Sequence, residues 1–309
     1  MPRSRIPQYL RVSCLAASGV LSVWPAGSWA AVGDDIGAAL PPVLLDSVQG
    51  TVYAGSPPSD PPIFLFTRTS EHRGAEVIAH LHYDYANGRP AVRETVTYDG
   101  SQFRGYVEQN LQNGAHGEVQ VRRAADTLTV AYSFTPAGAQ AATRHNIEHF
   151  AGDDDSVLVD DDIVPFIIKH WSALLLGGKV ALHYVVVSRT ETIGCVLRKL
   201  GETDWRGIPA VDIAMTPTGL LTRLLVKPVH FILERGGQHR LLEYRGRTLP
   251  KVKRDGSWRN LDAVTEFRWV VPRLASADKP QASLRGGVAG SGVAVDDRHA
   301  PNRQDAGHL

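Results

Sequence analysis

Glu76-Val77-Ile78-Ala79-His80-Leu81-His82-Tyr83 runs up to Asn87-Gly88, and Val92-Arg93-Glu94-Thr95-Val96-Thr97-Tyr98 returns from it. Apolar side chains recur at every second position on both sides, the period of a strand with one buried face. Asn-Gly is a strong hairpin signal. The stretch therefore predicts two antiparallel strands joined by a tight turn. Gln102 to Leu111 and Glu118 to Arg122 repeat the arrangement around Asn113-Gly114, and Thr127 to Phe134 extends it into a meander.

The period changes after Asp160-Asp161-Asp162. Ile163, Val164, Phe166, Ile167, His170, Trp171, Leu174 and Leu175 fall at helical spacing before Gly177-Gly178, which predicts one amphipathic helix from Asp162 to Leu176. The aspartates suit N-capping and the helix dipole, Pro165 is tolerated in a first turn, and the glycines stop the helix. Strands resume as a hairpin of Val180 to Ser188 with Thr192 to Lys199, followed by Ala210 to Met215. An apolar segment through Leu220, Leu221, Leu224 and Leu225 reads as a second short helix ended by Pro228. Val229 to Glu234, Arg240 to Tyr244 and Ala263 to Trp269 are the closing strands.

The expected fold is mainly β: an antiparallel curved sheet or partly closed β-barrel over residues 63–273, with the amphipathic helix on its concave side. Two separate meanders would account for the same strands. Outside this region, Arg3, Arg5 and Arg11 precede an apolar run from Val12 to Trp24 and the small residues Ser28 and Ala30. Residues 1–30 thus read as a cleaved secretory signal, too short in its apolar part to be a transmembrane span. Residues 31–62 read as a Pro/Gly-rich tether containing a short strand at Val48 to Tyr53, and residues 274–309 as a disordered tail.

Loss of the three leader arginines takes the formal net charge from +1 to −2, which argues against nucleic acid as a partner. Cys14 lies within the leader, leaving Cys195 alone in the mature chain without an intrachain disulfide partner.

His145-Asn146-Ile147-Glu148-His149 matches the H-x-x-E-H pattern in which two histidines one helical turn apart hold zinc and the glutamate activates water. The preferred reading is of polar residues on a connecting segment, because no long helix is predicted there; His145 and His149 remain the metal candidates. His80 and His82 share one strand face and suit a metal with His72 or Asp84, though solvated strand histidines are common. Asp153-Asp154-Asp155 and Asp160-Asp161-Asp162 lack the alternation of a calcium loop. Cys195 is a nucleophile candidate only if the hairpin register brings His183 to its face; otherwise it is a small packed residue. Arg235, His239, Arg240, Arg245, Arg247, Lys251, Lys253 and Arg254 suit either an acidic surface or a charged edge that discourages strand pairing.

Asp162-Ile163-Val164-Pro165-Phe166, His170-Trp171, Val226-Lys227-Pro228-Val229-His230-Phe231 and Arg240-Leu241-Leu242-Glu243-Tyr244-Arg245-Gly246-Arg247 resemble segments of bacterial exported proteins of unknown function, the DUF3108-like proteins. The resemblance spans roughly the second half of the domain. It implies a curved or barrel-like antiparallel sheet in the cell envelope and no catalytic residues.

The leading functional expectation is a periplasmic or secreted, non-enzymatic binding protein for a hydrophobic or lipidic ligand, without a cofactor. Phe166, Trp171, Leu174, Leu175, Leu221 and Phe231 are its candidate ligand-binding residues, and each would serve equally as core. The alternatives are an exported metal- or Cys-dependent hydrolase, or an envelope scaffold that binds another protein.

Overall fold

The computed structural model describes residues 47–270, apart from 56, 58, 139 and 220–226. The chain forms one antiparallel sheet whose first eight strands are neighbours in order: β1 Ser47–Tyr53, β2 Phe64–Arg73, β3 Glu76–Tyr85, β4 Pro90–Asp99, β5 Gln102–Asn110, β6 Ala115–Arg123, β7 Thr127–Thr135 and β8 Arg144–Ala151. It then jumps to the opposite edge at β9 Val157–Leu158. From there it returns through β10 Lys179–Val186, β11 Glu191–Trp205, β12 Ile208–Pro217, β13 Val229–Glu234, β14 Leu241–Arg254 and β15 Ser257–Val270, which closes on β1. The pairing of β9 with β10 is parallel, and every other ladder is antiparallel.

The connection between β8 and β9 dictates the shape. Five residues, 152–156, link strands at the two ends of a 15-stranded order. Strands spaced about 4.8 Å apart would put those ends more than about 60 Å apart in a flat sheet, whereas the link reaches about 20 Å. The sheet is therefore wrapped until its edges approach. No ladder joins the edges among the described residues, so the sheet is not a closed barrel. Side chains of β8 span the gap instead: Arg144 and Asn146 donate to the carbonyls of Ser188 and Thr190, and Glu148 accepts from the Thr192 N–H at 3.0 Å. Arg123 donates to the carbonyls of Gly152 and Asp154, which pins the link itself.

Inward residues form two main cores. One is built on β1–β7 with Val157, Val185 and Val187, and the other on β10–β14 with the helical segment; Phe267 and Trp269 of β15 pack against both. In the helical segment, a 3-10 turn at Asp160–Asp162 leads into α1 Ile163–Lys169 and α2 Trp171–Leu175. The expected continuous helix is thus broken at His170, whose φ of −101° and ψ of 16° leave the helical range. Immediately afterwards Trp171 stacks on His239 at 4.2 Å, while Leu174 is fully buried. Gly177, at φ +83°, ends the segment in a Schellman turn: its N–H donates to Leu174 O, and that of Gly178 to Ala173 O. The aspartates do not cap α1 by side-chain hydrogen bonds as expected. Asp161 turns inward to an arginine, and Asp162 accepts from the Val159 N–H.

Several boundaries also move. Val48 to Tyr53 belongs to the interior of the sheet, paired on both sides by β2 and β15, so the tether does not run to residue 62. Phe64–Arg73 is a full strand that no expected element covers, and residues 145–149 lie on edge strand β8, not on a connecting segment. β11, β14 and β15 run well beyond their expected ends. The expected second helix, the signal and the C-terminal tail lie outside the described residues. No described helix is long and apolar enough to cross a membrane.

Candidate functional site: a cavity inside the wrapped sheet

A cavity of about 520 Å³ lies between the two cores. Its walls are mainly apolar, with Phe66, Leu81 and Phe134 from the first half of the sheet facing Met215, Phe231 and Leu241 from the second. Phe267 and Trp269 complete the wall where β15 joins the halves. The alternation of each strand places these residues. On β2, for example, Phe64, Phe66 and Arg68 point inward and Leu65 outward.

Arg68 thus occupies a core position, 5% exposed, and the turn before α1 supplies its counter-ion. Arg68 Nε lies 2.6 Å from Asp161 Oδ1 and Nη2 lies 2.9 Å from Oδ2, a bidentate pair. Tyr98 Oη donates to the same carboxylate at 2.9 Å.

Two further charged residues take inward positions. Glu94 shares a face with Val92, Val96 and Tyr98 on β4, and Glu108 with Tyr106 on β5. Tyr106 Oη donates to Glu94 Oε2 at 2.9 Å, while Glu94 Oε1 has no hydrogen-bond partner among the described residues. Burial, followed by the charge of Asp160, raises the Glu94 pKa well above the usual carboxylate range. The same causes push Glu108 up to about 7, against a smaller opposing effect of Lys251. Asp160 has substantial accessible area and is also among the residues that line the cavity. Its pKa is raised by desolvation, partly offset by a hydrogen bond from Tyr184. Burial and then Asp161 push Asp162 up to about 7.

Of the candidate ligand-binding residues, Phe231 lines the cavity. Phe166, Trp171 and Leu174 are buried in the second core and Leu175 packs against it, away from the cavity wall. Leu221 lies outside the described residues. Ile163 and Val164 are the helical residues that reach the cavity. Arg68, Glu94 and Glu108 are not among the residues that motifs single out, although period-2 parity puts Glu94 on the same face as Val92 and Val96.

The hydrolase candidates are not assembled. His145 and His149 lie on β8, where four residues span about 13 Å, and Glu148 points to the opposite face from both. That geometry differs from ligands one helical turn apart. Glu148 instead accepts from Tyr132 and the Thr192 N–H. Cys195 pairs with Leu182 and His183 with Gly194, so the imidazole lies on the other face of the hairpin. Burial pushes the Cys195 thiol up to about 11, which disfavours the thiolate.

His72 faces away from His80 by register, and Asp84 is paired with Arg93. No group of three potential metal ligands occurs among the described residues. Asp154 accepts from Ser156 and Asp155 pairs with Lys169. Within the basic set, Arg235, Arg240, Arg245 and Arg247 are paired with Glu202, Glu234, Glu243 and Asp262.

Comparisons with protein-family models, curated proteins and solved structures yield no match.

Proposed function

We propose that the chain is an exported, periplasmic, non-enzymatic binding protein for a hydrophobic or lipidic ligand in the cell envelope. The observation that carries this reading is the cavity of about 520 Å³ enclosed by the wrapped sheet. Its volume lies within the range of about 300–1,000 Å³ common to small-molecule sites, and its largely apolar walls with a few inward polar groups match their usual lining. A wrapped sheet whose edges meet through side chains holds such a space without filling it. The basic-apolar leader of residues 1–30 supports export, and the resemblance to DUF3108-like proteins agrees with a place in the envelope. A non-enzymatic role accords with the separation of His145 and His149 along a strand and with the buried thiol of Cys195.

The test is to express the full chain in a bacterium and purify the protein from the periplasm under native conditions. Mass spectrometry of the intact protein and of its organic extract then reads bound organic molecules and metals together. One apolar molecule per chain supports the proposal. A stoichiometric metal lost on His145→Ala or His149→Ala would replace it with the hydrolase reading.

A further inference from the structure

Glu94 and Glu108 are direct partners in the β4–β5 ladder, and residues directly opposed across antiparallel strands point to the same face. That face is the cavity wall, which both side chains line. Asp160 reaches the same cavity from the turn before α1. Glu94 is 2% exposed and its Oε1 has no hydrogen-bond partner among the described residues. The guanidinium on this wall is already engaged, since Arg68 holds Asp161 in a bidentate pair. At the rim, Arg189 and Arg247 are paired with Glu191 and Asp262. Two more cations line the cavity: Lys227 shares Asp262 with Arg247, and Lys251 acts on Glu108. Glu94, Glu108 and Asp160 nonetheless enter no ion pair among the described residues, and Glu94 and Asp160 have tyrosine hydroxyls as their side-chain donors.

We propose that the cavity binds a protonated amine carried on an apolar body, with Glu94, Glu108 and Asp160 as its acceptors. The proposal rests on the ligand-chamber reading above and gives the chemical class of the ligand. An alkylammonium has three N–H donors and no acceptor, which suits three carboxyls lining one cavity, and its chain suits the apolar walls. A carboxylate or phosphate head brings no cationic N–H donor to these carboxyls and cannot supply the counter-ion they lack.

Burial is the first cause of the raised pKa values of Glu94, Glu108 and Asp160, because it disfavours carboxylates that lack a counter-ion. An arriving ammonium supplies that counter-ion, so binding releases protons from the wall. The surrounding titratable groups are Tyr83 on β3, Tyr106 on β5, Tyr184 on β10, and Tyr244 and Lys251 on β14, with the Arg68–Asp161 pair beside them. Burial first raises the pKa of each of the four tyrosines, and Lys251 acts against the raised pKa of Glu108. Glu108, pushed up to about 7, is thus the group of this wall that exchanges a proton near neutrality.

The test is isothermal titration calorimetry of the full chain with dodecylamine, dodecanol and dodecanoate, each kept monomeric, at about pH 6.5 and about pH 8. The amine is expected to bind at least about tenfold more tightly than dodecanoate and to release protons, read from the dependence of heat on buffer ionisation enthalpy. Glu94→Gln and Glu108→Gln are each expected to weaken the amine by about tenfold and the alcohol by less than about threefold. Dodecanoate binding as tightly as the amine would overturn the proposal, as would amine binding that neither variant changes. Alcohol binding without amine preference would reject the amine and leave the chamber, whereas no binding by any probe would reject the chamber as well. The wild-type comparison decides the case even if a variant fails to fold.

Discussion

Arg68 on β2 and Asp161 in the turn before α1 face one another end on, with Nε to Oδ1 at 2.6 Å and Nη2 to Oδ2 at 2.9 Å. The two residues are 93 positions apart in sequence, and their pair ties the first half of the sheet to the helical segment packed on the second. Removing one partner would leave a buried charge uncompensated, which typically costs about 3–5 kcal/mol. Arg68→Met and Asp161→Leu are each expected to lower stability by about that amount, and the double variant to regain part of the loss. Urea unfolding at unchanged m-value measures all three. Losses that simply add would show that the two side chains are not coupled.

The raised carboxyl pKa values set the sign of the pH dependence. Glu108 has a reference pKa of 4.5, pushed up to about 7 in the fold. Between those values the folded state retains a proton that the unfolded chain releases, so stability is greatest below the lower value and falls as pH rises through the higher one. Over the full window the contribution of Glu108 amounts to roughly 3 kcal/mol. Asp162 acts in the same direction, while His82 and His170, whose pKa values are lowered by burial, act in the opposite one. The clean observable is therefore the difference between wild type and Glu108→Gln. The variant should gain relative stability as pH rises from about 5 to about 8, and a constant difference would contradict the assignment.

Gly117 marks the place where β6 meets the turn at Val187. A Cβ at Gly117 would lie 2.5 Å from Val187 Cγ1 and 3.2 Å from Phe134 Cδ2. Val187 is β-branched and has little rotamer freedom with which to yield. Gly117→Ala is therefore expected to destabilise by about 1–3 kcal/mol, although an alanine inside a strand ordinarily gains stability over glycine. Gly105→Ala is the control, because its Cβ would meet only Val119 O at 3.6 Å. Thermal unfolding of the two variants separates the strained site from the relaxed one.

Cys195 is buried, and its thiol is pushed up to about 11. At pH 8 only about one molecule in a thousand would carry the thiolate. In a Cys14→Ser background, Ellman's reagent should leave the native protein unlabelled and label it promptly after unfolding in guanidinium. Rapid labelling of the native state would restore Cys195 as a nucleophile candidate.

Much of the sheet was legible from local pattern. The β3–β4 and β5–β6 hairpins announce themselves through alternation and Asn-Gly turns, with Gly88 and Gly114 at φ +82° and +79°. β2 was hidden because Arg68, Glu71, His72 and Arg73 dilute its apolar alternation, and burial of Arg68 depends on an aspartate far along the chain. The break at His170 was equally hidden, since residues 163–175 keep helical spacing on both sides of it. The wrapping itself depends on side chains of β8 meeting backbone 44 positions away, at Ser188, Thr190 and Thr192, which no local period reports. The acidic wall was half legible. Parity places Glu94 and Glu108 inward, but only the assembled sheet sets them opposite one another beside a cavity.

The most direct test of a ligand-holding chamber is a fluorescence titration of the full chain with N-phenyl-1-naphthylamine, a small apolar dye, comparing wild type with Ala115→Trp. Ala115 lines the cavity from β6, and an indole there would occupy its space. The expected result is saturable binding near one dye per chain in the wild type and at least about tenfold weaker binding in the variant. Unsaturable binding, or equal affinity in a folded variant, would contradict the claim that this cavity is where the protein does its work.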